Sequence, residues 1–176
     1  MLAPMTELLP ILKYPDAFLR RKAKPVAKVD ASVREMAARM VETMFSAKGL
    51  GLAATQVGWD ARVAVVSGKG ERGDEVVVIN PEIVDAWGSE ALEEGCLSFP
   101  NVAAVITRRK GVKLRYTALD GAQHELESET MLARCCLHEL DHLDGITFLS
   151  KMTPADKLAN RRALRSLEER YGENAA

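Results

Sequence analysis

Apolar residues recur every three or four positions along residues 32–48, a spacing that places them on one face of a helix. Ser32 and Glu35 fit a capping box at the start of this helix, in which each of the two side chains accepts a hydrogen bond from the backbone N–H of the other residue. Gly49 fits its end, because glycine readily takes the conformation that stops a helix. The pattern therefore predicts an N-terminal helix over residues 32–48.

The last third of the chain predicts two more helices. Residues 129–144 have a helical apolar pattern that stops at Gly145, and residues 154–171 have a second one. Thr153 is the expected N-cap of the third helix, with Pro154 at its first position. The chain is thus expected to end in a helix.

The region between the helices has the shorter apolar runs that are typical of strands. Strands are predicted at residues 62–67, 75–80, 102–107, 112–118 and 123–127. Asp120-Gly121 suits a hairpin turn, and residues 1–29 are expected to form an extended arm with turns. The order helix, strands, helix, helix predicts an α+β protein. No linker or repeat divides it, so residues 1–176 are expected to form one domain.

Composition narrows the classes of function. Charged residues make up 28% of the chain but nearly cancel, for a net charge of -1, so no overall field favours nucleic acid or a membrane surface. No stretch suits a membrane span or a targeting segment, and a cytoplasmic location is expected. The three cysteines cannot all be paired with one another, so each is expected to be a ligand, a nucleophile or a buried thiol.

The most informative local pattern is the pair His138 and His142 within the second predicted helix. Residues four apart share a helix face, about 6 Å apart along the axis, so both imidazoles can bind one metal ion. With Glu139 they form the H-E-x-x-H pattern, in which the glutamate acts as general base. The alternative is a chance pattern on a solvated helix face.

Two histidines leave a metal site that needs a third ligand. Cys135 lies on the same helix face, but the midpoint between the histidines is about 7.5 Å further along the axis, too far for a cysteine side chain. Cys136 lies on another face, and both are expected to be buried core thiols. Cys96 remains, in an irregular segment expected at a sheet edge. Its alternative role is a nucleophile, which would use one histidine as base and leave the other without a purpose.

Three segments together resemble the peptide deformylase family of the bacterial type. They are residues 49–56 (GLGLAATQ), 94–98 (EGCLS) and 138–142 (HELDH), in the family's order and at suitable separation. The arm at residues 11–16 (ILKYPD) and the closing helix are also similar. The resemblance implies small antiparallel or mixed sheets packed around a central metal-binding helix, with an N-terminal and a C-terminal helix. It also implies removal of the formyl group from N-formylmethionine of nascent polypeptides.

The resemblance implies a role for each matching residue. Cys96, His138 and His142 would hold one divalent metal with water in the fourth position, and Glu139 would carry the proton as general base and then acid. Ferrous iron is the metal that the resemblance favours, while the ligand set also suits zinc, nickel or cobalt.

By the same resemblance, the Gln56 amide and the Leu97 backbone N–H would stabilise the oxyanion. Gly49, Leu50 and Gly51 would offer backbone to the substrate peptide, which adds like a strand.

Several residues keep more than one interpretation. Asp141 either orients a ligand, pairs with a basic residue such as Arg108, or lies on a solvated helix face. His124 is expected to be a surface strand residue. Leu137 and Ala103 depart from the family, which commonly has glutamine and a bulky or basic residue there, so local packing and some substrate contacts are in question.

Basic residues Lys157, Arg161 and Arg165 recur every four positions and would form one exposed stripe on the closing helix. The stripe is either a solvated face or a contact with ribosomal RNA where the nascent chain emerges. Two other functions stay open for the whole chain. A metalloprotease using H-E-x-x-H would cut internal peptide bonds and would not need Cys96. A non-catalytic relative would only bind peptides or metal.

Overall fold

The computed structural model describes residues 7–174, so the first six residues of the predicted arm lie outside the described residues. The helices are α1 Ala31–Ser46, α2 Met131–Leu143, α3 Phe148–Lys151, α4 Pro154–Ala159 and α5 Arg161–Tyr171. The strands are β1 Gly51–Ala53, β2 Val63–Val66, β3 Val76–Trp87, β4 Glu90–Cys96, β5 Phe99–Arg108, β6 Gly111–Thr117 and β7 Gln123–Ser128. Short 3-10 helices lie at Ala17–Arg20, Ala54–Val57 and Gly172–Asn174.

The strands form two sheets. Five of them pair in the order β1-β2-β3-β6-β7, and β4 pairs with β5 in a separate two-stranded sheet. Every described pairing is antiparallel. Helix α2 packs against β1, β2 and β6 of the larger sheet. The predicted α+β class with antiparallel sheets around a central helix is confirmed.

Helix α1 begins one residue earlier than predicted and has a different cap. Its N-cap is Asp30, whose carboxylate accepts a hydrogen bond from the Val33 N–H at 3.0 Å. The predicted capping box of Ser32 and Glu35 is therefore wrong, because aspartate one turn before Val33 already satisfies the free backbone donor. The helix ends at Ser46, and Lys48 rather than Gly49 takes the left-handed conformation, with φ of 56°.

The five predicted strands are present, but two further strands were not expected. Strand β1 has three residues, too few to produce a visible alternation, and lies in a segment for which no strand was predicted. Strand β4 carries exposed charged residues and lies where an irregular segment was predicted. Strand β3 continues seven residues past Asn80 to Trp87, with register shifts that accommodate Pro81.

The single predicted C-terminal helix is instead two helices that meet at Asn160. The side-chain amide of Asn160 donates to the Ala103 carbonyl at 2.8 Å and accepts from the Ala103 N–H at 3.3 Å. This contact with β5 diverts the chain between α4 and α5. The predicted start is confirmed, because Thr153 caps α4 with Pro154 at its first turn.

Among residues 7–174, the core consists of three groups of buried side chains. One lies between α2 and the large sheet, a second lies under α1 and the arm, and a third joins β5 to α5 around Phe99 and Leu167. His124 lies exposed on β7 beside Asp120, as expected for a surface residue. Within the described part of the chain, no helix is long and apolar enough to cross a membrane.

Candidate metal centre

Helix α2 carries both predicted histidine ligands one turn apart. Thr130 caps the helix by accepting from the Leu132 N–H, and the apolar face of α2 is held in the core. This fixes the ring centroids of His138 and His142 5.1 Å apart. His142 is buried, while His138 is partly accessible from a cavity of about 430 Å³.

Cys96 reaches the same point from the other sheet. It is the last residue of β4, after a register shift between Gly95 and Cys96, and its Sγ lies 3.2 Å from His142 Nε2. One ligand atom from each of Cys96, His138 and His142 lies within 4.8 Å of the others. Among the described residues, this is the one group of three or more metal-ligating side chains so close together. The structure thus brings the three predicted ligands together.

The three cysteines differ in their protonation. Burial alone would raise the pKa of Cys96, but the charge of His142 and hydrogen bonds from both histidines lower it to about 5. Burial raises the pKa of Cys135 and of Cys136 to about 12. Cys96 is therefore the thiolate near neutral pH, the form that binds metals, while the other two are neutral core thiols as expected.

A buried carboxylate on β4 orients the first histidine. Glu94 accepts a hydrogen bond from His138 Nδ1 at 3.0 Å, which leaves Nε2 to face Cys96. Ligand histidines in metal proteins usually bond a carboxylate through their second nitrogen in this way. Burial would raise the pKa of Glu94, but hydrogen bonds from His138 and Arg108 lower it to about 2.

Two arginines hold Glu94 in place. Arg108 donates to it from Nε at 2.6 Å and from Nη2 at 3.0 Å, and Arg134 bonds the same carboxylate from α2. Arg108 also donates to Asp141 at 2.7 Å, so Asp141 pairs with Arg108, one of the alternatives left open above.

Sequence reasoning did not assign a role to Glu94 or Arg134. A signal for both was present. Glu94 lies two residues before Cys96 in the second motif, and Arg134 lies one helical turn before His138, on the same face of α2.

Glu139 is buried beside the three ligands, with its carboxylate in the same cavity. Its Oε2 has no hydrogen-bond partner among the described residues. Burial raises the pKa of Glu139 above its usual range. A side chain at Gly51 would clash with Glu139 Oε1, so only glycine leaves room for this carboxylate.

The predicted oxyanion donors lie next to Cys96. Gln56 is buried, and its Oε1 accepts from the Ala53 N–H at 2.8 Å, which fixes the orientation of the amide. Its Nε2 therefore points toward the centre, 3.7 Å from Cys96 Sγ and 3.1 Å from Ser98 Oγ. Leu97 follows Cys96 in the turn between β4 and β5 and lines the cavity.

The three residues predicted to bind peptide backbone also line the cavity. They are Gly49, Leu50 and Gly51. Gly51 begins β1, which is at the end of the five-stranded sheet and pairs on one side with β2. Its second edge has no partner strand among the described residues. The segment therefore has an open strand edge beside the metal ligands.

The donor set fits a divalent transition metal. It combines a thiolate with two imidazoles, and the Glu94 contact leaves His138 Nε2 available. The unpartnered Oε2 of Glu139 adds a buried acceptor at the same place, as a water bound there would need. Three protein ligands leave a coordination position open, the pattern of catalytic rather than structural sites.

The two departures from the family lie beside the site rather than in it. Leu137 is half-buried on α2 and packs against the core. Ala103 is exposed on β5 and bonds Asn160 through its backbone. Neither side chain is one of the metal ligands or replaces Glu139.

Comparisons with known proteins agree with this geometry. The polypeptide deformylase family model matches residues 8–158. A peptide deformylase of Chromobacterium violaceum is 42% identical over 167 residues, 95% of this chain and 98% of that protein. One of Nitrosococcus oceani is 45% identical over 142 residues, 81% of this chain and 85% of that protein. The crystal structure of a peptide deformylase from Legionella pneumophila superposes with a TM-score of 0.88 at 35% identity, covering 94% of this chain and 98% of that one.

Proposed function

The chain belongs to the polypeptide deformylase family, and from this premise we propose that it removes the formyl group from N-formylmethionine at the start of nascent polypeptides. The family is a family of metal-dependent enzymes, and the chain has a Cys-His-His group that could bind the metal. The observation that carries the proposal is the position of the unpartnered Glu139 carboxylate beside these three ligands, in a cavity open to a peptide.

Cys96, His138 and His142 would hold the metal. A divalent ion there would act as a Lewis acid and make water nucleophilic near neutral pH. We propose ferrous iron, and zinc, nickel or cobalt suit the same thiolate and imidazole ligands. Glu94 keeps His138 in the orientation that binding needs, since it holds the second ring nitrogen at 3.0 Å.

Glu139 would move the proton. Its free Oε2 can accept the proton of the attacking water and deliver it to the amine that leaves when the formyl C–N bond breaks. The products are formate and a free methionine amino group. Gly51 makes this possible, because a side chain there would displace the Glu139 carboxylate.

Gln56 and Leu97 would stabilise the negative oxygen of the reacting formyl group. The Gln56 amide oxygen accepts from the Ala53 N–H, so Nε2 faces the site without reorganisation. The Leu97 backbone N–H would be the second donor. Fixed donors of this kind typically lower the barrier by several kcal/mol, on the order of 10²–10³ in rate for one donor.

The substrate backbone would lie along the open edge of β1. Gly49, Leu50 and Gly51 would bond it as another strand, and its first residue would then lie over the metal ligands. The cavity beyond is lined by the apolar side chains of Val102 and Met131, among others, and suits a methionine side chain.

A direct assay tests the proposal. The protein is purified without oxygen, its metal content is measured, and it is given formyl-Met-Ala-Ser or the unformylated peptide. We expect formate from the first peptide and no change in the second. Free methionine or cuts at internal bonds would support a metalloprotease instead. A metal-loaded protein that binds the peptide but releases nothing would be a non-catalytic relative.

A nascent-chain substrate also implies a cytoplasmic location and a partner. We propose transient contact with the ribosome through Lys157, Arg161 and Arg165, all of which are exposed. Arg165 is 80% exposed, so its charge is available to a phosphate backbone.

A further inference from the structure

Lys13 makes a contact that the proposed mechanism does not yet use. Its side chain is half-buried, and its Nζ donates to the Leu97 carbonyl oxygen at 2.7 Å. No ion pair found within residues 7–174 includes Lys13. A cation that is partly withdrawn from water without a carboxylate partner is costly, so its hydrogen bond to the Leu97 carbonyl calls for an explanation.

The carbonyl that Lys13 holds belongs to the turn between β4 and β5. Cys96 pairs with Phe99 across this turn, so Leu97 and Ser98 are its two central residues. The bond from Lys13 ties the carbonyl group of Leu97 to the arm, and so restrains the residue whose N–H is the proposed donor.

The neighbouring arm residues hold both donor segments. The Tyr14 N–H donates to the Ser98 carbonyl at 2.9 Å, and the Leu12 N–H donates to the Gln56 carbonyl at 2.7 Å. Three successive arm residues thus bond the segments that carry Gln56 and Leu97, and Lys13 is the one that does so through its side chain. A substitution at Lys13 can therefore remove one of these restraints without changing the backbone bonds.

We propose that Lys13 is a positioning residue, which holds the turn at residues 96–99 so that the Leu97 N–H points at the oxygen of the reacting formyl group. This rests on the proposed deformylase function. An oxyanion donor is effective only when it is already oriented, and a misplacement of about 1 Å can cost on the order of 10² in rate. Losing the Lys13 bond loosens the turn but leaves its other restraints, so the expected loss is smaller.

The test replaces Lys13 with methionine, which keeps the length and apolar part of the side chain. Relative to wild type, Lys13→Met is expected to lower kcat on formyl-Met-Ala-Ser about 10-fold, with KM and metal content within about twofold. Lys13→Arg should recover much of kcat, because a guanidinium also donates to a carbonyl. Lys24→Met is the control. Lys24 lies in the same arm but pairs with Asp60, so kcat should not change.

A second measurement does not depend on turnover. In zinc-loaded protein labelled with 15N-leucine, the Leu97 amide resonance is followed while formate, the product anion, is added. Lys13→Met should move this resonance and weaken its response to formate. If wild type fails to release formate, the proposed function is wrong whatever Lys13 does. An unchanged Leu97 resonance, an unchanged kcat, or a lowered unfolding temperature with normal kcat would each overturn the positioning role.

Discussion

Two groups of charged residues in this protein both contain arginines but lie in opposite surroundings. The inner cluster consists of Glu94, Arg108, Arg134 and Asp141 around His138. The Glu94, Arg108 and Arg134 side chains are 6%, 5% and 7% exposed, and each bonds at least two groups. Taking these charges out of water is costly, and only complete pairing offsets that cost.

The outer group, the basic stripe, consists of Lys157, Arg161 and Arg165. All three are exposed, and Arg165 pairs only with Glu169, itself 66% exposed. Exposed pairs of this kind contribute about 0–1 kcal/mol to stability. The difference between the groups suggests that inner charges set the geometry of the metal ligands, while outer charges are free to act on other molecules.

The largest effect should come from breaking the inner cluster. Glu94→Ala leaves two buried guanidinium groups without their shared carboxylate, and we expect a loss of about 3–5 kcal/mol in the free energy of unfolding. Urea denaturation, with and without excess zinc, measures this. Glu93→Ala is the matched control, because Glu93 is exposed and should change stability by about 0.5 kcal/mol or less. Equal losses of stability in the two variants would mean that a buried charge contributes no more to stability than an exposed one.

Glu139→Gln tests whether the stability of the fold depends on the pairing of a buried carboxylate or on its burial alone. Glu139 is as buried as Glu94 but has an oxygen without a partner, so replacing it with a neutral amide should not destabilise the fold. Turnover should fall by at least roughly 10²-fold, because an amide cannot carry the proton. Formate release, metal content and unfolding are measured on the same preparation. Retained turnover with full metal would show that the proton passes through another group.

Removal of a buried but uncharged side chain should have the smallest effect within the site. Cys135 lies in the cavity wall next to the inner cluster, yet it is a neutral thiol and not one of the three close ligands. Cys135→Ala should lower the free energy of unfolding by about 1 kcal/mol through a small cavity. Metal bound per chain should stay the same as in wild type, whereas Cys96→Ser should bind less. Loss of metal in Cys135→Ala would contradict the ligand assignment.

The site was more predictable from the sequence than the inner cluster. His138 and His142 lie on one helix, so local spacing is enough to bring them together. Cys96 was predicted as the third ligand from two arguments together, the exclusion of Cys135 and the resemblance to the family. The contact of Glu94 with His138 joins residues 44 positions apart, and no local pattern reports a partner at that distance.

The predictions of helices and strands were wrong where a contact with a distant residue, or the shortness of a strand, determined the structure. Strand β1 has three residues, and β4 has exposed charged residues in place of an alternating apolar pattern. The apolar pattern of residues 154–171 continues through Asn160, so periodicity predicts one helix. The break depends on two hydrogen bonds between Asn160 and Ala103 of β5, which helical spacing cannot show.

That break changes how the basic stripe must be tested, because Lys157 lies on α4 and the other two members lie on α5. The double variant Arg161→Glu with Arg165→Glu therefore reverses charge on α5 alone. Leu167 on this helix is buried against the domain, and both substituted side chains are exposed. We expect turnover of formyl-Met-Ala-Ser within about twofold of wild type and a stability change of about 0.5 kcal/mol or less.

The same variant should bind ribosomes more weakly than wild type at low salt, because two positive charges that could contact phosphates are reversed. Binding to phosphates releases counterions, so the binding of wild type should also weaken as salt rises. Co-sedimentation with ribosomes over a series of salt concentrations measures this. Arg109→Glu with Lys110→Glu is the control, since both residues are exposed in the turn between β5 and β6 and give an equal change of net charge. If only the α5 variant loses binding, the outer charges act on a partner while the inner ones serve the site. Equal binding by wild type and both variants would mean that the stripe is a solvated surface.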